Sequence, residues 1–86
     1  MYNITVYPNP ASEFTSIKWE IYDELENALY KIFDINGREM GSGAIEKNTG
    51  EKVIDTRSLE NGVYIINIYN EGVMKFNSKL IVSNEK

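Results

Sequence analysis

The sequence predicts an all-β domain, a seven-stranded antiparallel immunoglobulin-like β-sandwich. Apolar and polar residues alternate with a period of two, β-branched and aromatic residues are frequent, and turn residues recur about every ten positions. At 86 residues, 42% of them hydrophobic, the chain can bury one modest core but not two. Short connections between alternating strands favour a sandwich over other β architectures.

The first two predicted strands are the most regular. The first covers about residues 2–7, and Pro8-Asn9-Pro10 ends it because proline has no backbone donor for a sheet. The second covers about residues 13–22. Its inward face is predicted to consist of Thr15, Ile17, Trp19 and Ile21. The tryptophan is the largest of these side chains, so we expect it to anchor the core.

The middle of the chain has a clear hairpin followed by weaker boundaries. A third strand at 28–35 leads through Asn36-Gly37, a two-residue hairpin signal, into a fourth strand near 38–40. The glycines of Gly41-Ser42-Gly43 are expected to break that strand or to add a bulge. The chain then resumes at Ala44-Ile45 and forms a loop over 47–50.

The last third of the chain supplies the remaining strands. A fifth strand at 52–55 precedes 56–59, predicted as one helical turn that buries Leu59. The sixth strand, 63–69, is apolar on both faces and is therefore expected to be central. The seventh, 74–82, places Phe76, Leu80 and Val82 on one side, and Lys75, Asn77 and Lys79 on the other.

Composition excludes several classes of function. Thirteen acidic and nine scattered basic residues give a net charge of −4, which disfavours nucleic acid as a partner. The chain has no cysteine, and no apolar run approaches the roughly 20 residues that a bilayer-spanning helix needs, so we expect neither disulfides nor membrane insertion. The N-terminus does not read as a signal peptide, so any such signal is expected on a longer parent chain.

The residues offer little for catalysis. Without histidine or cysteine the usual nucleophile triads cannot form, and the adjacent Ser78 and Lys79 would point to opposite faces of a strand. The acidic stretch 23–27 has the composition of a solvated loop. The sequence Asp34-Ile35-Asn36-Gly37 resembles the start of a calcium loop, but Ile45 occupies the position of the required glutamate. We therefore expect no enzyme, no cofactor and no metal site.

The residues are compatible with a binding function or a purely structural one. Several aromatic residues could form a sugar-binding platform, although such residues are more often buried in a small sandwich. They are Trp19, Tyr22, Tyr30, Tyr64 and Tyr69. The alternatives are therefore a carbohydrate-binding module or a spacer sandwich of a secreted enzyme.

Four segments point more specifically to one family. They are Val6-Tyr7-Pro8-Asn9-Pro10-Ala11, Ile32 to Arg38, Leu59 to Ile66, and Lys79-Leu80-Ile81-Val82. In this order they resemble the type A C-terminal sorting domain of cargo of the type IX (Por) secretion system of Bacteroidetes. The matching motif residues are Pro8, Asn9, Pro10, Asp34, Gly37, Leu59, Gly62, Tyr64, Lys79, Leu80, Ile81 and Val82. Met40 in place of the usual valine is a small departure.

This resemblance implies a role in secretion. Residues 1–86 would be one C-terminal domain with a short tail at 83–86, and Met1 would be an added start residue. Cargo would pass through the periplasm, and the outer-membrane type IX translocon would recognise the domain. A sortase-like protease would cleave upstream, before Tyr2, leaving the cargo on lipopolysaccharide at the cell surface or free outside the cell.

The seventh strand suggests a mode of recognition. If it lies at a sheet edge, its free backbone groups could pair with a partner strand, with Lys75 and Lys79 as polar contacts. The same edge could also pair two copies into a weak homodimer.

Overall fold

The computed structural model describes residues 1–84, and all regular secondary structure in that range is β. Glu85 and Lys86, the end of the expected tail, lie outside the described residues. The seven strands are β1 (Tyr2–Tyr7), β2 (Phe14–Ile21), β3 (Leu29–Phe33), β4 (Glu39–Ala44), β5 (Thr49–Asp55), β6 (Gly62–Asn70) and β7 (Val73–Val82). Among the described residues there is accordingly no helix long and apolar enough to cross a membrane.

The strands form two sheets. One has the order β1-β2-β5 and the other β4-β3-β6-β7, and every strand pair is antiparallel. This arrangement confirms the predicted seven-stranded sandwich. Strand β6 lies between β3 and β7, which confirms the central position inferred from its two apolar faces.

The core lies between the sheets and follows the alternation seen in the sequence. The side chains of Ile17, Ile66, Ile68 and Leu80 are completely buried. Trp19, 8% exposed, packs among them, and its indole Nε1 donates a hydrogen bond to the Lys47 carbonyl at 2.9 Å. Trp19 is thus a core residue whose polar atom has a partner, as a buried indole requires.

Strand β4 differs from its prediction. It runs without interruption through Gly41-Ser42-Gly43, and the extra residue of its bulge is Met40. Gly43 is opposite Tyr30, and a Cβ added there would lie 2.5 Å from the Tyr30 ring carbon Cε2. The glycine therefore makes room for a buried aromatic ring, and does not end the strand.

Strand β5, in the other sheet, also has a glycine opposite a buried aromatic ring. It begins at Thr49, so the predicted loop at 47–50 is wrong in its second half. Gly50 is opposite Trp19, and a Cβ added there would lie 2.7 Å from the indole carbon Cζ2. In both sheets an aromatic side chain lies across a glycine on an edge strand.

Candidate functional site

The four segments singled out in the sequence meet at one end of the sandwich. Because the chain crosses the sandwich once per strand, its loops fall into two groups. The motif end, as we call it, consists of loops 8–13, 34–38 and 56–61 and the residues 83–84 after β7. The acidic end consists of loops 22–28, 45–48 and 71–72. Met1 lies at the acidic end, where its carbonyl accepts a hydrogen bond from the Tyr22 N–H at 2.9 Å.

The first and last segments are joined directly. The side-chain amide of Asn9 donates to the Lys79 carbonyl at 2.8 Å and accepts from the Ile81 N–H at 2.9 Å, as a neighbouring strand would. The Ala11 N–H donates to the Ile81 carbonyl at 2.7 Å, and the Ala11 carbonyl accepts from the Ser83 N–H at 2.8 Å. Pairing of Ala11 with Val82 is parallel. The segment after Pro8 therefore covers the C-terminal half of the β7 edge.

Strand β7 is an edge strand, as the hypothesis of strand addition requires. Much of that edge is nevertheless occupied by Asn9 and Ala11. The side chain of Lys79 is exposed, although its carbonyl is part of the covered edge. Lys75 lies at a bulge about 13 Å away, toward the start of the strand. The two lysines therefore do not form one contact point with the motif end.

The second segment is organised by the carboxylate of Asp34. Its Oδ1 accepts from the N–H groups of Asn36 at 2.8 Å and Arg38 at 2.9 Å, and its Oδ2 accepts from Arg38 Nε at 2.7 Å. The hydrogen bond from the Arg38 N–H is the main reason why the pKa of Asp34 is lowered. Asp34 thus keeps the loop ordered as an ionised carboxylate.

The loop itself is longer than predicted. The Gly37 N–H donates to the Asp34 carbonyl at 3.1 Å and the Asp34 N–H donates to the Arg38 carbonyl at 3.0 Å, which leaves three residues between the paired ends. Gly37 has a φ of 82°, while Asn36 is not among the residues with positive φ. This is a type I turn followed by a left-handed glycine, so the predicted two-residue hairpin is wrong.

The third segment forms a turn beneath the core. The Leu59 N–H donates to the Thr56 carbonyl at 3.1 Å, and Leu59 is buried. Residues 56–59 form a turn and no helix, so the predicted helical turn is wrong, although the burial of Leu59 is confirmed. The Tyr64 hydroxyl donates to the Glu60 carbonyl, and burial raises the pKa of Tyr64.

Two residues that tie these segments together were not identified from the sequence. Buried Thr56 donates through Oγ1 to the Ser12 carbonyl at 3.0 Å. The Asn84 side-chain amide donates to the carbonyls of Thr56 at 3.1 Å and Leu59 at 3.2 Å, while its N–H donates to Asn61 Oδ1 at 2.7 Å. Residues that we expected to begin a tail therefore belong to the motif end.

A groove of about 220 Å³ lies between the hairpin loop and the start of β6. Three exposed apolar side chains, Ile35, Met40 and Val63, line it beside the ion pair of Asp34 and Arg38. It brings the second and third segments together on one surface. The groove has no counterpart in the sequence pattern, since Met40 and Val63 are far apart in the chain.

The motif residues divide into buried and exposed groups. The buried residues are Leu59, Tyr64, Leu80 and Val82. The exposed or partly exposed residues are Pro8, Asn9, Pro10, Asp34, Gly37, Gly62, Lys79 and Ile81. Gly37, with a φ of 82°, and Gly62, with a φ of 157°, both have backbone conformations that other residues rarely adopt. At both glycines an added Cβ would have no other atom within 4 Å.

The alternative site of stacked aromatics is not formed. Trp19, Tyr30 and Tyr64 are buried in the core, Tyr69 is partly buried, and Tyr22 is exposed at the acidic end. No group of three potential metal-ligating side chains comes together in residues 1–84. The carbohydrate-binding alternative is therefore not favoured.

Comparison with known proteins identifies the family. Residues 5–83 match the family described as the secretion system C-terminal sorting domain. No curated protein sequence matches the chain. A solved structure with a similar fold is dimeric latent PorU from Porphyromonas gingivalis, with a TM-score of 0.72 and 19% identity. The match covers 99% of this chain but only 9% of that one, and at this identity it shows the fold alone.

The family match has a direct functional meaning. A sorting domain of the type IX system directs secretion across the outer membrane, to the cell surface or the extracellular space, through the secretion machinery. The family is one of sorting signals and not of catalysts. Because the match extends over nearly the whole chain, the chain belongs to the secretion system C-terminal sorting domain family.

Proposed function

We propose that the motif end is the surface which the outer-membrane type IX translocon reads, and that residues 1–86 form one such domain at the C-terminus of a longer cargo protein. The observation that carries this proposal is the meeting of all four segments at the end opposite Met1. A protein that precedes the domain would attach at the acidic end. It would leave the motif end free for a receptor.

We also propose the order of events that the resemblance implies. The folded domain reaches the periplasm with its cargo, engages the translocon, and a sortase-like protease then cleaves before Tyr2. Exposed Met1 at the acidic end supports this order, because a bond next to it would stay accessible while the motif end is held. Cleavage would leave the cargo anchored at the surface or released.

The motif residues would then act in two ways. The buried ones, such as Leu59 and Tyr64, would act by holding the shape of the end. Direct contacts would come from the exposed groove residues Ile35, Met40 and Val63, with Lys79 at the adjacent edge. Two copies of the domain would in addition associate weakly through an exposed strand edge.

A reporter fusion tests the sorting role. Residues 2–86 are fused to a periplasmic reporter in a Bacteroidetes host with a working type IX system, and the reporter is assayed in the periplasm and the medium. Efficient export of the wild-type fusion is expected. Retention of the folded fusion in the periplasm would refute the sorting role of this chain.

A matched pair of substitutions tests the surface. Ile35 in the groove is 77% exposed and Tyr22 at the acidic end is 62% exposed, so Ile35→Lys and Tyr22→Lys make the same change at opposite ends. Both should fold, as judged by circular dichroism. Only Ile35→Lys should reduce export, and equal export of the two variants would refute recognition at the motif end.

A further inference from the structure

The two edges of the four-stranded sheet are protected to different degrees. At the β7 edge Asn9 and Ala11 bond to the backbone around Ile81, and a bulge at Lys75 disturbs the remainder. Natural proteins block edges in such ways because an open ladder pairs with other chains. Along the opposite edge, formed by β4, the described residues 1–84 provide only a bulge at Met40, near the beginning of the strand.

One hydrogen bond shows which backbone N–H and C=O groups of β4 point away from the sheet. The Ile45 N–H donates to the Ala28 carbonyl at 2.9 Å, so Ile45 and, by alternation, Gly43 turn their backbone groups toward β3. Ser42 and Ala44 then direct theirs away from the sheet. Neither residue has a backbone hydrogen-bond partner on that side within residues 1–84.

The side chains along this edge offer little obstruction. The one charged residue of β4 is Glu39 at its start, which is paired with Lys31 at 3.3 Å. The rest of the strand, residues 40–44, contains neither a charged residue nor a proline, which are the usual means of blocking an edge. The side chains of Ser42 and Ala44 are small and exposed. A second strand can therefore approach to hydrogen-bonding distance.

We propose that this edge is a self-association surface, where β4 pairs antiparallel with β4 of a second copy about a two-fold axis at Ser42. Both Ser42 residues then exchange two N–H···O bonds, and Ala44 of each copy faces Met40 of the other. The same register places Gly41 of one copy opposite Gly43 of the other, on both sides of the axis, so no side chain obstructs the approach of the two backbones. This self-complementarity of Gly41-Ser42-Gly43 favours a second copy over an unrelated strand.

The pairing specifies the weak homodimer proposed above and joins two four-stranded sheets into one of eight strands. A single short strand pair is a small contact, so a dissociation constant of about 0.1–1 mM is expected. The dimer needs no secretion machinery. Its failure in solution would leave the sorting role untouched, and failed export would leave the dimer untouched.

Amide hydrogen exchange of the wild-type protein tests the pairing residue by residue. Exchange is followed by NMR at about 0.05 mM and about 1 mM, with sedimentation equilibrium over the same range. Slower exchange of the Ser42 and Ala44 amides at the higher concentration is expected, with no change at Asn77 on the β7 edge. Protection at Asn77 instead, or a protein that stays monomeric at about 1 mM, would overturn the proposal.

A matched pair of proline variants gives a second test. Ser42→Pro removes an outward N–H on β4, and Asn77→Pro removes one on β7, at positions where an edge strand tolerates proline. The dissociation constant should rise about tenfold for Ser42→Pro and remain unchanged for Asn77→Pro. If Ser42→Pro does not fold, Ala44→Lys places a charge on the same edge and should weaken association similarly. Unchanged association of a folded β4 variant would refute the pairing, including the case in which a different surface forms the dimer.

Discussion

The two ends of the sandwich are both fastened by side-chain amides, but in different surroundings. At the acidic end the key residue is Asn70, which is completely buried. It accepts from the Glu26 N–H at 2.7 Å and donates to the Glu24 carbonyl at 2.8 Å and the Tyr2 hydroxyl at 3.0 Å. At the motif end the corresponding bonds of Asn9 and Asn61 lie in exposed positions, while those of Asn84 and Thr56 are partly buried.

Charge separates the two ends as well. The acidic end has five carboxylates, Asp23, Glu24, Glu26, Glu46 and Glu71, against the single lysine Lys47. Both arginines of the chain are at the motif end, and each is paired with an aspartate.

Exposed hydrogen bonds and ion pairs contribute little to stability. Their concentration at the motif end therefore fits our proposal that this end presents a defined surface for recognition. The buried network at the acidic end is explained by folding alone.

The largest expected effect is at the acidic end. Asn70→Ala leaves the Glu26 N–H and the Glu24 carbonyl without their partner, which should cost roughly 2–4 kcal/mol of unfolding free energy. Urea denaturation measures it. Asn67→Ala on the same strand removes one bond, to the Tyr69 hydroxyl, and should cost about 1 kcal/mol or less. If the two variants lose equal amounts of unfolding free energy, the buried amide of Asn70 contributes no more than the partly buried amide of Asn67.

The next effect is at the hairpin loop of the motif end. Gly37→Ala forces a side chain onto a φ of 82° where no neighbouring atom crowds it, so the cost is backbone strain of about 1–2 kcal/mol. Gly41→Ala is the control, because its Cβ would make only an ordinary 3.8 Å contact with Ile32 Cδ1. Thermal denaturation should separate the two, and a destabilised Gly41→Ala with an unaffected Gly37→Ala would contradict the turn geometry.

A smaller effect is expected at Asn9. Asn9→Ala removes the two bonds to β7 and should lower the unfolding free energy by about 0.5–1.5 kcal/mol, with faster hydrogen exchange at the Ile81 amide. Asn77→Ala, at an exposed position on β7, should leave the unfolding free energy and the exchange of the Ile81 amide unchanged. We also expect Asn9→Ala to reduce export by more than its small loss of stability explains, and normal export would argue that Asn9 has only a structural role.

The smallest effect concerns acid. Hydrogen bonds from the Arg57 side chain lower the pKa of Asp55 from 3.8 to about 2, and the pKa of Asp34 is lowered as well. A lowered pKa in the folded state means that the contribution to stability is complete above the unfolded pKa and is lost as the pH falls through the folded pKa. The urea midpoint should thus decline from about pH 4 toward pH 2, and less so in Asp55→Asn. An equal decline in the variant would show that Asp55 does not contribute.

The strands could be predicted because alternation reports directly on burial. Ile17, Trp19 and Ile66 follow the period of two, and the structure buries them as expected. The glycines misled the prediction, because Gly43 and Gly50 lie under rings that are opposite them only after the strands pair. Local sequence does not contain that information.

The contacts of the candidate site were predictable only in part. The segments themselves could be recognised, yet the bond between Asn9 and Ile81 joins residues 72 positions apart. An amide side chain can bond to almost any backbone group, so its partner is decided by the tertiary fold. The bonds of Asn84 to the turn at Leu59 have the same origin.

The number of strands has a consequence for how a load can be attached. Seven is odd, so a chain that crosses the sandwich once per strand must enter and leave at opposite ends. Strand β6 alone, with nine residues, spans about 30 Å between them. A protein joined ahead of Tyr2 would therefore be attached about 30 Å from the motif end. With an even number of strands, the point of attachment and the motif end would lie side by side.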